Sequence, residues 1–435
     1  MKIHILGICG TFMGGLAQIL KESGHEISGS DKQFYPPMSD HLKALDINTY
    51  EGYSTQDMPD ADLYVIGNVL SRGNECVEHI LNNKLPYKSG PEMLGEVLED
   101  REVIAVSGTH GKTSTAYMIC HILISQGIDI GFLVGGISNM IDGSARLGND
   151  KLFVIEADEY DSAFFDKRSK FIHYSPNTLV INNIEFDHAD IFNDLDDIQR
   201  QFHHLVKIIP GNGNIVYFKD DKNTEDLLER GSWSSLVPIG ADETYQIDLS
   251  NNQIIVSGDS YSLEGFVMFG SHNIKNITAA IAATHINGIK TKDSISALKN
   301  FEGVKRRLEI KYKDSSTIII DDFAHHPTAI KYTIDAVKDR FKNRSIIGFI
   351  ELGSNTMIEG VHGDEVIKAA ADLDESIWLD KKEVLKDKCK NSSDSETQCL
   401  DSIKDKIDHY DILLIMTNKN SKRLWEPIIE HIKGK

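Results

Sequence analysis

The residues best placed to do chemistry are Gly108-Thr109-His110-Gly111-Lys112-Thr113-Ser114, set between an apolar run, Val103–Val106, and a helical pattern reaching Ser125. Backbone N–H groups of such a loop cradle phosphates at a helix N-terminus, a lysine there reaches the terminal phosphates, and the threonine hydroxyl can ligate Mg2+. Val106 stands where the usual phosphate loop has its first glycine. A lysine that merely opens a helix would read the same, so the neighbours decide. Phosphate-bound Mg2+ needs carboxylates at the ends of adjacent strands, and Glu156 and Asp158 follow the run Phe153-Val154-Ile155 in that way. His188, after the run Leu179–Ile181, is a candidate second metal ligand. The plainer alternatives are a solvated acid at Glu156 and a hydrogen-bonded loop histidine at His188.

Further sets suit a nucleotide lying between domains. His272, Asn273 and Asn276 at a helix start offer imidazole and amide groups for a base edge, although Asn273 would serve equally as a helix cap. Arg306 and Arg307 present forked donors for a transferring γ-phosphate, or else form a solvated basic linker. Asp322 ends a strand where ribose hydroxyls are commonly held. At the N-terminus, Gly7, Gly10 and Gly14 do not spell GxGxxG, because Cys9 replaces the glycine that lets pyrophosphate approach; a dehydrogenase cofactor is disfavoured. Gly10 and Thr11 on the turn, Asp31 at the ribose-acid distance, Asn68 after the run Leu63–Ile66, and Ser71-Arg72-Gly73 still fit a second, diphosphate-bearing nucleotide.

These groups need strands and helices to hold them. Strand, glycine turn and helix recur three times: from Lys2–Leu6, from Val103–Val106, and from Thr317–Ile320 into Asp321-Asp322-Phe323-Ala324-His325-His326-Pro327, with Pro327 starting a helix to Phe341. The reading is α/β throughout, with domains at residues 1–99, 100–300 and 301–435. Between Gly211 and Gly270 the periodicity falls to two, with Ile254–Val256 and Phe266–Phe269 read as strands of an antiparallel appendage. A helix is expected over Asn273–His285, strands over Ser345–Ile350, Ser376–Leu379 and Asp411–Met416, and a surface helix and loop over Lys381–Asp401.

The chain has 435 residues, 40% hydrophobic and 26% charged, with 46 Lys and Arg against 66 Asp and Glu. A net charge of -20 disfavours a sequence-independent grip on nucleic acid or anionic lipid, so any anionic substrate must meet locally concentrated cations. No apolar run approaches the ~20 residues that span a bilayer, and Met1–Leu6 is short for a secretory leader, so no membrane partner and a cytoplasmic setting are expected. Five scattered cysteines without CxxC spacing argue against a disulfide framework or a zinc site. A monomer or weak dimer is expected.

Taken in order, these stretches resemble the Mur ligase family along the whole chain: the Gly7–Gly15 turn, Arg72-Gly73-Asn74, Gly108–Thr113, Glu156–Glu159, Asn183–His188, His272–Asn276, Arg306-Arg307 and Asp322–Pro327. The resemblance implies a three-domain architecture with a Rossmann-like N-terminal domain, a central P-loop ATPase domain and a C-terminal Rossmann-like domain. It also implies an ATP-dependent amide ligase of peptidoglycan metabolism, with UDP-N-acetylmuramate on domain one, ATP and Mg2+ on domain two and the incoming amine on domain three. Lys112, His188 and Arg307 then carry the chemistry, with Thr113, Glu156 and His188 as metal ligands. Three spellings, Gly10-Thr11-Phe12-Met13, Glu159–Arg168 and Phe186–Phe192, resemble the branch that takes the cell-wall tripeptide L-Ala-γ-D-Glu-meso-diaminopimelate. The branch that takes L-alanine is the alternative; a nucleotide-switched binding protein without turnover is the rival of another class.

Two departures stand out. Where many relatives carry a carbamylated lysine, this chain has Phe202-His203-His204. The segment read as peptide-binding, Ser354-Asn355-Thr356, follows Leu352-Gly353, where the resemblance sets Pro and Arg, so a cation for the peptide is either missing or supplied from elsewhere.

Overall fold

The structure, a computed structural model, describes residues 1–385, 388–389 and 391–434. It divides into two compact units: Met1–Glu185 with Asp196–Gly265 and Asn276–Phe301, and Phe186–Leu195 with Phe266–Lys275 and Glu302–Lys435.

The first unit holds two principal sheets. A five-stranded parallel sheet has the spatial order Asn48–Glu51, Glu26–Asp31, Lys2–Leu6, Leu63–Ile66, Tyr87–Ser89. The Lys2–Leu6 strand is central and apolar on both faces, as a strand covered by helices on both sides must be. Its polar exception, His4, is buried between the hydroxyls of Ser28 and Ser30 at 2.8 and 2.9 Å, and burial pushes its pKa down to about 4. The imidazole is therefore neutral and serves as a satisfied core group. The second sheet has ten strands, with Glu102–Ser107 at its heart between Leu152–Glu156 and Thr178–Ile181, all parallel.

The Gly211–Gly270 stretch departs from the antiparallel reading. Asn214–Phe218 and Ser235–Ile239 pair in parallel, joined through the helix Lys222–Glu229, and only Tyr245–Asp248, Gln253–Val256 and Asp259–Ser262 form an antiparallel meander. Phe266–Phe269 is not a strand. It lies between two left-handed glycines, Gly265 and Gly270, which turn the chain out of strand geometry, and its apolar side chains serve packing: Phe266 is buried and Phe269 packs on the core of the second unit.

The second unit carries a six-stranded sheet in the order Glu309–Lys313, Ile318–Asp322, Ile412–Met416, Ile346–Glu351, Glu375–Leu379, Ser392–Ser393, parallel except for its first pair. Pro327 opens the helix Pro327–Arg340 as the first-turn preference of proline predicts. The polar stretch after residue 380 contains the Ser392–Ser393 strand and the helix Glu396–Lys406; Lys386, Asp387 and Lys390 in it lie outside the described residues. Among the described residues no helix is long and apolar enough to cross a membrane.

Candidate active site

The phosphate-type loop joins the strand Glu102–Ser107 to the helix Lys112–Ser125. Gly108 and Gly111 have φ of 122° and 84°, which favours glycine, and neither position has room for a side chain. A Cβ on Gly108 would stand 2.8 Å from Asn183 O, and one on Gly111 would meet Asn182 Nδ2 at 2.6 Å and Asn276 Oδ1. The loop is laced to the next strand's end. Thr109 N donates to Asn183 O at 3.0 Å, His110 N to Asn183 Oδ1 at 2.8 Å, and Asn182 Nδ2 to His110 O at 3.2 Å and to Thr115 Oγ1 at 3.1 Å. Ser114, next on the helix, is buried. The structure thus sets Asn276 against the loop glycine.

Beyond the loop, Glu156, Asp158 and Glu159 face the first side chains of the helix. Thr113 Oγ1 donates to Glu156 Oε1 at 2.7 Å, and the N–H of Gly135 donates to Glu156 Oε2 at 2.6 Å. Lys112 Nζ donates to Glu159 at 2.8 Å and lies 3.8 Å from Asp158. Burial works against the ammonium charge, but Glu159 and Asp158 outweigh it and hold the lysine's pKa above the ordinary range. Glu159, itself buried, was legible only as part of an acidic cluster; its pairing with Lys112 depends on the bend after the strand Leu152–Glu156.

A separate pocket of about 290 Å3 opens over the N-terminal glycine turn, lined by Gly10, Thr11, Asp31 and Asn68 together with Phe12 and Lys170. Asp31 steadies the turn by accepting from Cys9 N at 2.7 Å. Lys170 supplies the pocket's cation, over the rings of Phe12 and Tyr160 at 5.7 and 5.6 Å and 3.2 Å from Asp158. Sequence reasoning missed it, since one lysine in the charged run Asp166–Lys170 carries no spacing signal. It had named Arg72, which does not line the pocket. The arginine's fork is closed on Glu78 at 2.9 and 3.1 Å, and Gly73 N donates to the same carboxylate at 2.7 Å, because the helix Glu75–Asn82 places that acid one turn away. Ser71 and Gly73 likewise stand outside the lining.

In the second unit His188 has a φ of 59°, in a loop braced by the segment read as peptide-binding. Thr356 Oγ1 donates to Asp187 at 2.9 Å and accepts from Ala189 N at 3.3 Å, while Asn355 Nδ2 donates to Asp190 at 3.1 Å. Ser354 caps its own short helix through Met357 N. Thr356 is 1% exposed, so the peptide-contact expectation fails for it: the hydroxyl faces inward because a buried carboxylate needs a donor. Burial alone would raise Asp187, but His188, His325 and His326 outweigh it and hold the carboxyl well below its usual range.

Arg306 is likewise spent inside this unit. It donates to Thr417 O at 2.5 Å, lies 3.7 Å from the buried Asp321 and stacks on Phe323, so the phosphate role expected of it is left to Arg307, whose guanidinium sits 4.9 Å from the same ring. Asp322 accepts from Leu308 N, Ala324 N and Thr333 Oγ1 at 2.7, 2.8 and 3.2 Å, fixing the turn that carries Arg307 and leaving part of its accepting capacity for a ligand. His272 stacks on Tyr332 at 6.1 Å, and Asn273 Nδ2 donates to Phe269 O at 2.8 Å. His203, near the position of the missing lysine, stacks on Trp233 and meets Gly231 O at 3.2 Å.

A phosphate loop backed by paired acids, followed by a third α/β segment with its own histidine loop, matches known domains in order. Residues 2–102 match the domain described as Mur ligase family, catalytic domain, residues 106–284 the Mur ligase middle domain, and residues 306–418 the Mur ligase, glutamate ligase domain. The chain belongs to the Mur ligase family. It accordingly has the three-domain α/β architecture of Mur ligases and is an ATP-dependent carbon–nitrogen ligase. It is similar to the UDP-N-acetylmuramate–L-alanyl-gamma-D-glutamyl-meso-2,6-diaminoheptandioate ligase of Escherichia coli K12, with 46% identity over 387 residues, 87% of this chain and 85% of that one. A UDP-N-acetylmuramate–L-alanine ligase of Clostridium acetobutylicum is 34% identical over 361 residues, 79% of this Mur ligase and 75% of the relative. The crystal structure of a murein peptide ligase from Psychrobacter arcticus superposes with a TM-score of 0.77 at 37% identity, covering 100% of this chain and 99% of that one.

Proposed function

We propose that this Mur ligase joins UDP-N-acetylmuramate to the tripeptide L-Ala-γ-D-Glu-meso-diaminopimelate in peptidoglycan recycling, converting ATP to ADP and phosphate in the cytoplasm. The carrying observation is the closer likeness, over most of both chains, to the E. coli enzyme named for that peptide than to the enzyme named for L-alanine. We assign residues 1–99 to the uridine nucleotide sugar, with Gly10, Thr11, Asp31, Asn68 and Lys170 around it, residues 100–300 to ATP and residues 301–435 to the peptide.

In this reading the muramyl carboxylate attacks the γ-phosphate, and the peptide's amine then displaces phosphate from the acyl phosphate, forming the amide. Lys112 leaves Glu159 and Asp158 for the γ-phosphate, and Arg307 meets the equatorial charge. The hydroxyl of Thr113 and the carboxylate of Glu156, hard oxygen donors 2.7 Å apart beside the phosphate loop, fit Mg2+, with His188 for a second ion. When bound, Mg2+ neutralises charge on the phosphates. His272, Asn273, Asn276 and Asp322 are assigned to the nucleoside.

The test offers tripeptide and L-alanine together with UDP-N-acetylmuramate and ATP, and identifies the product by mass. A predominant tripeptide adduct is expected. UDP-N-acetylmuramoyl-L-alanine as the main product would move the enzyme to the L-alanine branch, and neither an adduct nor ADP release with either amine would indicate a switched binding protein.

A further inference from the structure

The strands Ile346–Glu351 and Ile412–Met416 are parallel neighbours, in register from Ile346 opposite Ile412 to Ile350 opposite Met416. The segments that leave them, Leu352–Asn355 and Thr417–Asn420, therefore emerge side by side at the carboxyl edge of the sheet, where open α/β sheets bind ligands. Gly353 is not among the left-handed glycines, so its backbone does not demand glycine; its space does. A Cβ there would collide with Asn418 Oδ1 and stand 3.2 and 3.3 Å from Lys419 Cγ and Cε. The aliphatic stem of Lys419 thus crosses the place a side chain at 353 would fill.

Two other cations at this edge, Arg423 and Arg306, are already engaged. Arg423 pairs with Glu351 at 2.6 Å and with Glu396, and Arg306 is held by Thr417 O and Asp321. Lys419 is exposed and makes no ion pair among the described residues. Its backbone is nevertheless fixed: Lys419 N donates to Thr417 Oγ1 at 2.9 Å, and that hydroxyl donates to the buried Glu351 at 2.6 Å. Beside it, Asn418 Oδ1 is buried without a hydrogen-bond partner among the described residues. A lone ammonium on a pinned loop, next to an unanswered amide, in a chain of net charge -20, is a site for an anion that also brings a donor.

We propose that Lys419 and Asn418 form the subsite that binds a carboxylate of the incoming peptide, Asn418 taking a neighbouring N–H, and that Gly353 makes room for the lysine. This rests on the peptide-ligase reading above. A carboxylate and an amide N–H lie close together on any peptide with a free carboxyl group, which is the ligand chemistry this pair recognises.

Steady-state kinetics of the full chain tests it. Lys419→Ala is expected to raise the tripeptide KM about tenfold or more, the usual scale for a charge-assisted hydrogen bond, with the KM values for ATP and UDP-N-acetylmuramate within about twofold; Lys419→Arg retains the wild-type KM. Lys381→Ala, another exposed lysine beyond the neighbouring strand, controls for general charge and leaves the tripeptide KM unchanged. Gly353→Arg alone weakens peptide use by displacing Lys419, and Gly353→Arg with Lys419→Gly restores it by returning a cation to the same space. An unchanged tripeptide KM in folded Lys419→Ala, or an equal rise in Lys381→Ala, overturns the proposal. If the wild-type enzyme makes no tripeptide adduct, the function reading fails by itself; the KM comparison is then run with L-alanine, whose carboxylate the subsite would also take, and an unchanged value overturns the subsite.

Discussion

Thr356 donates its hydroxyl to Asp187 at 2.9 Å while accepting from Ala189 N, so the residue after Asp187, His188, is held from both sides in a left-handed conformation. Such a conformation costs a non-glycine residue about 1–3 kcal/mol and persists only when its surroundings over-determine it. The brace comes from a segment far along the chain, which links the loop of the proposed metal ligand to the edge where the peptide is proposed to bind.

Replacing Thr356 by valine keeps the shape and removes the donor. We expect kcat to fall at least about tenfold, since losing one hydrogen bond to a buried charged group costs about 1–3 kcal/mol, with the tripeptide KM within about twofold. A changed tripeptide KM at constant kcat would return Thr356 to the peptide-contact role that its burial denies.

Lys112→Ala should lower kcat by orders of magnitude, and it should also lower Tm, because it leaves the buried Glu159 without its cation. Adding Glu159→Gln should recover the Tm and none of the activity. Recovery of activity in the double variant would show that the lysine acts on Glu159 alone and never on a phosphate.

Glu156→Gln should raise the Mg2+ concentration needed for half-maximal activity by about tenfold or more, the scale of losing a charged oxygen ligand. One amide face would still accept from Thr113; the other would oppose the Gly135 N–H, so a small drop in Tm accompanies it. An unshifted Mg2+ titration would remove Glu156 from the metal site.

How much of this was legible follows from what each signal depends on. The strands around Lys2–Leu6, Val103–Val106 and Leu179–Ile181 were readable because parallel strands are buried on both faces and show as unbroken apolar runs. The phosphate loop was readable because its glycines, lysine and threonine are contiguous. Lys170 and Glu159 were not, since their roles arise only when a hairpin and a strand end bring distant residues to one point. Arg72 and Arg306 were over-read for the same reason: an arginine's partner is set by tertiary contact, and here Glu78 and Asp321 claim them first. Phe266–Phe269 carried strand composition, yet its apolar residues serve packing between glycine turns.

The last prediction concerns acid. Asp166 accepts from Arg168 Nε and Nη2 at 2.9 and 2.8 Å, from the Arg168 N–H at 3.1 Å and from His173 Nε2 at 2.9 Å; the Arg168 hydrogen bonds, more than any other contact, hold its pKa down at about 2 from the ordinary 3.8. A carboxylate depressed in the folded state stabilises above its unfolded pKa and loses that contribution as pH falls through the folded one, so the window here runs from about pH 4 down to about pH 2. Arg168 is mostly exposed, so the contribution is screened and amounts to on the order of 1 kcal/mol. Asp166→Asn should therefore lower Tm by about 1–2 °C at pH 7 for a chain of this size, and the gap between variant and wild type should narrow steadily between pH 4 and pH 3. The hairpin carrying Asp166 also carries Ser162, which lines the pocket over the N-terminal glycine turn, and leads into Lys170, which supplies the pocket's cation, so the variant's KM for UDP-N-acetylmuramate should rise while that for ATP holds. A Tm gap that stays constant with pH would show that Asp166 acts through packing and not through its charge.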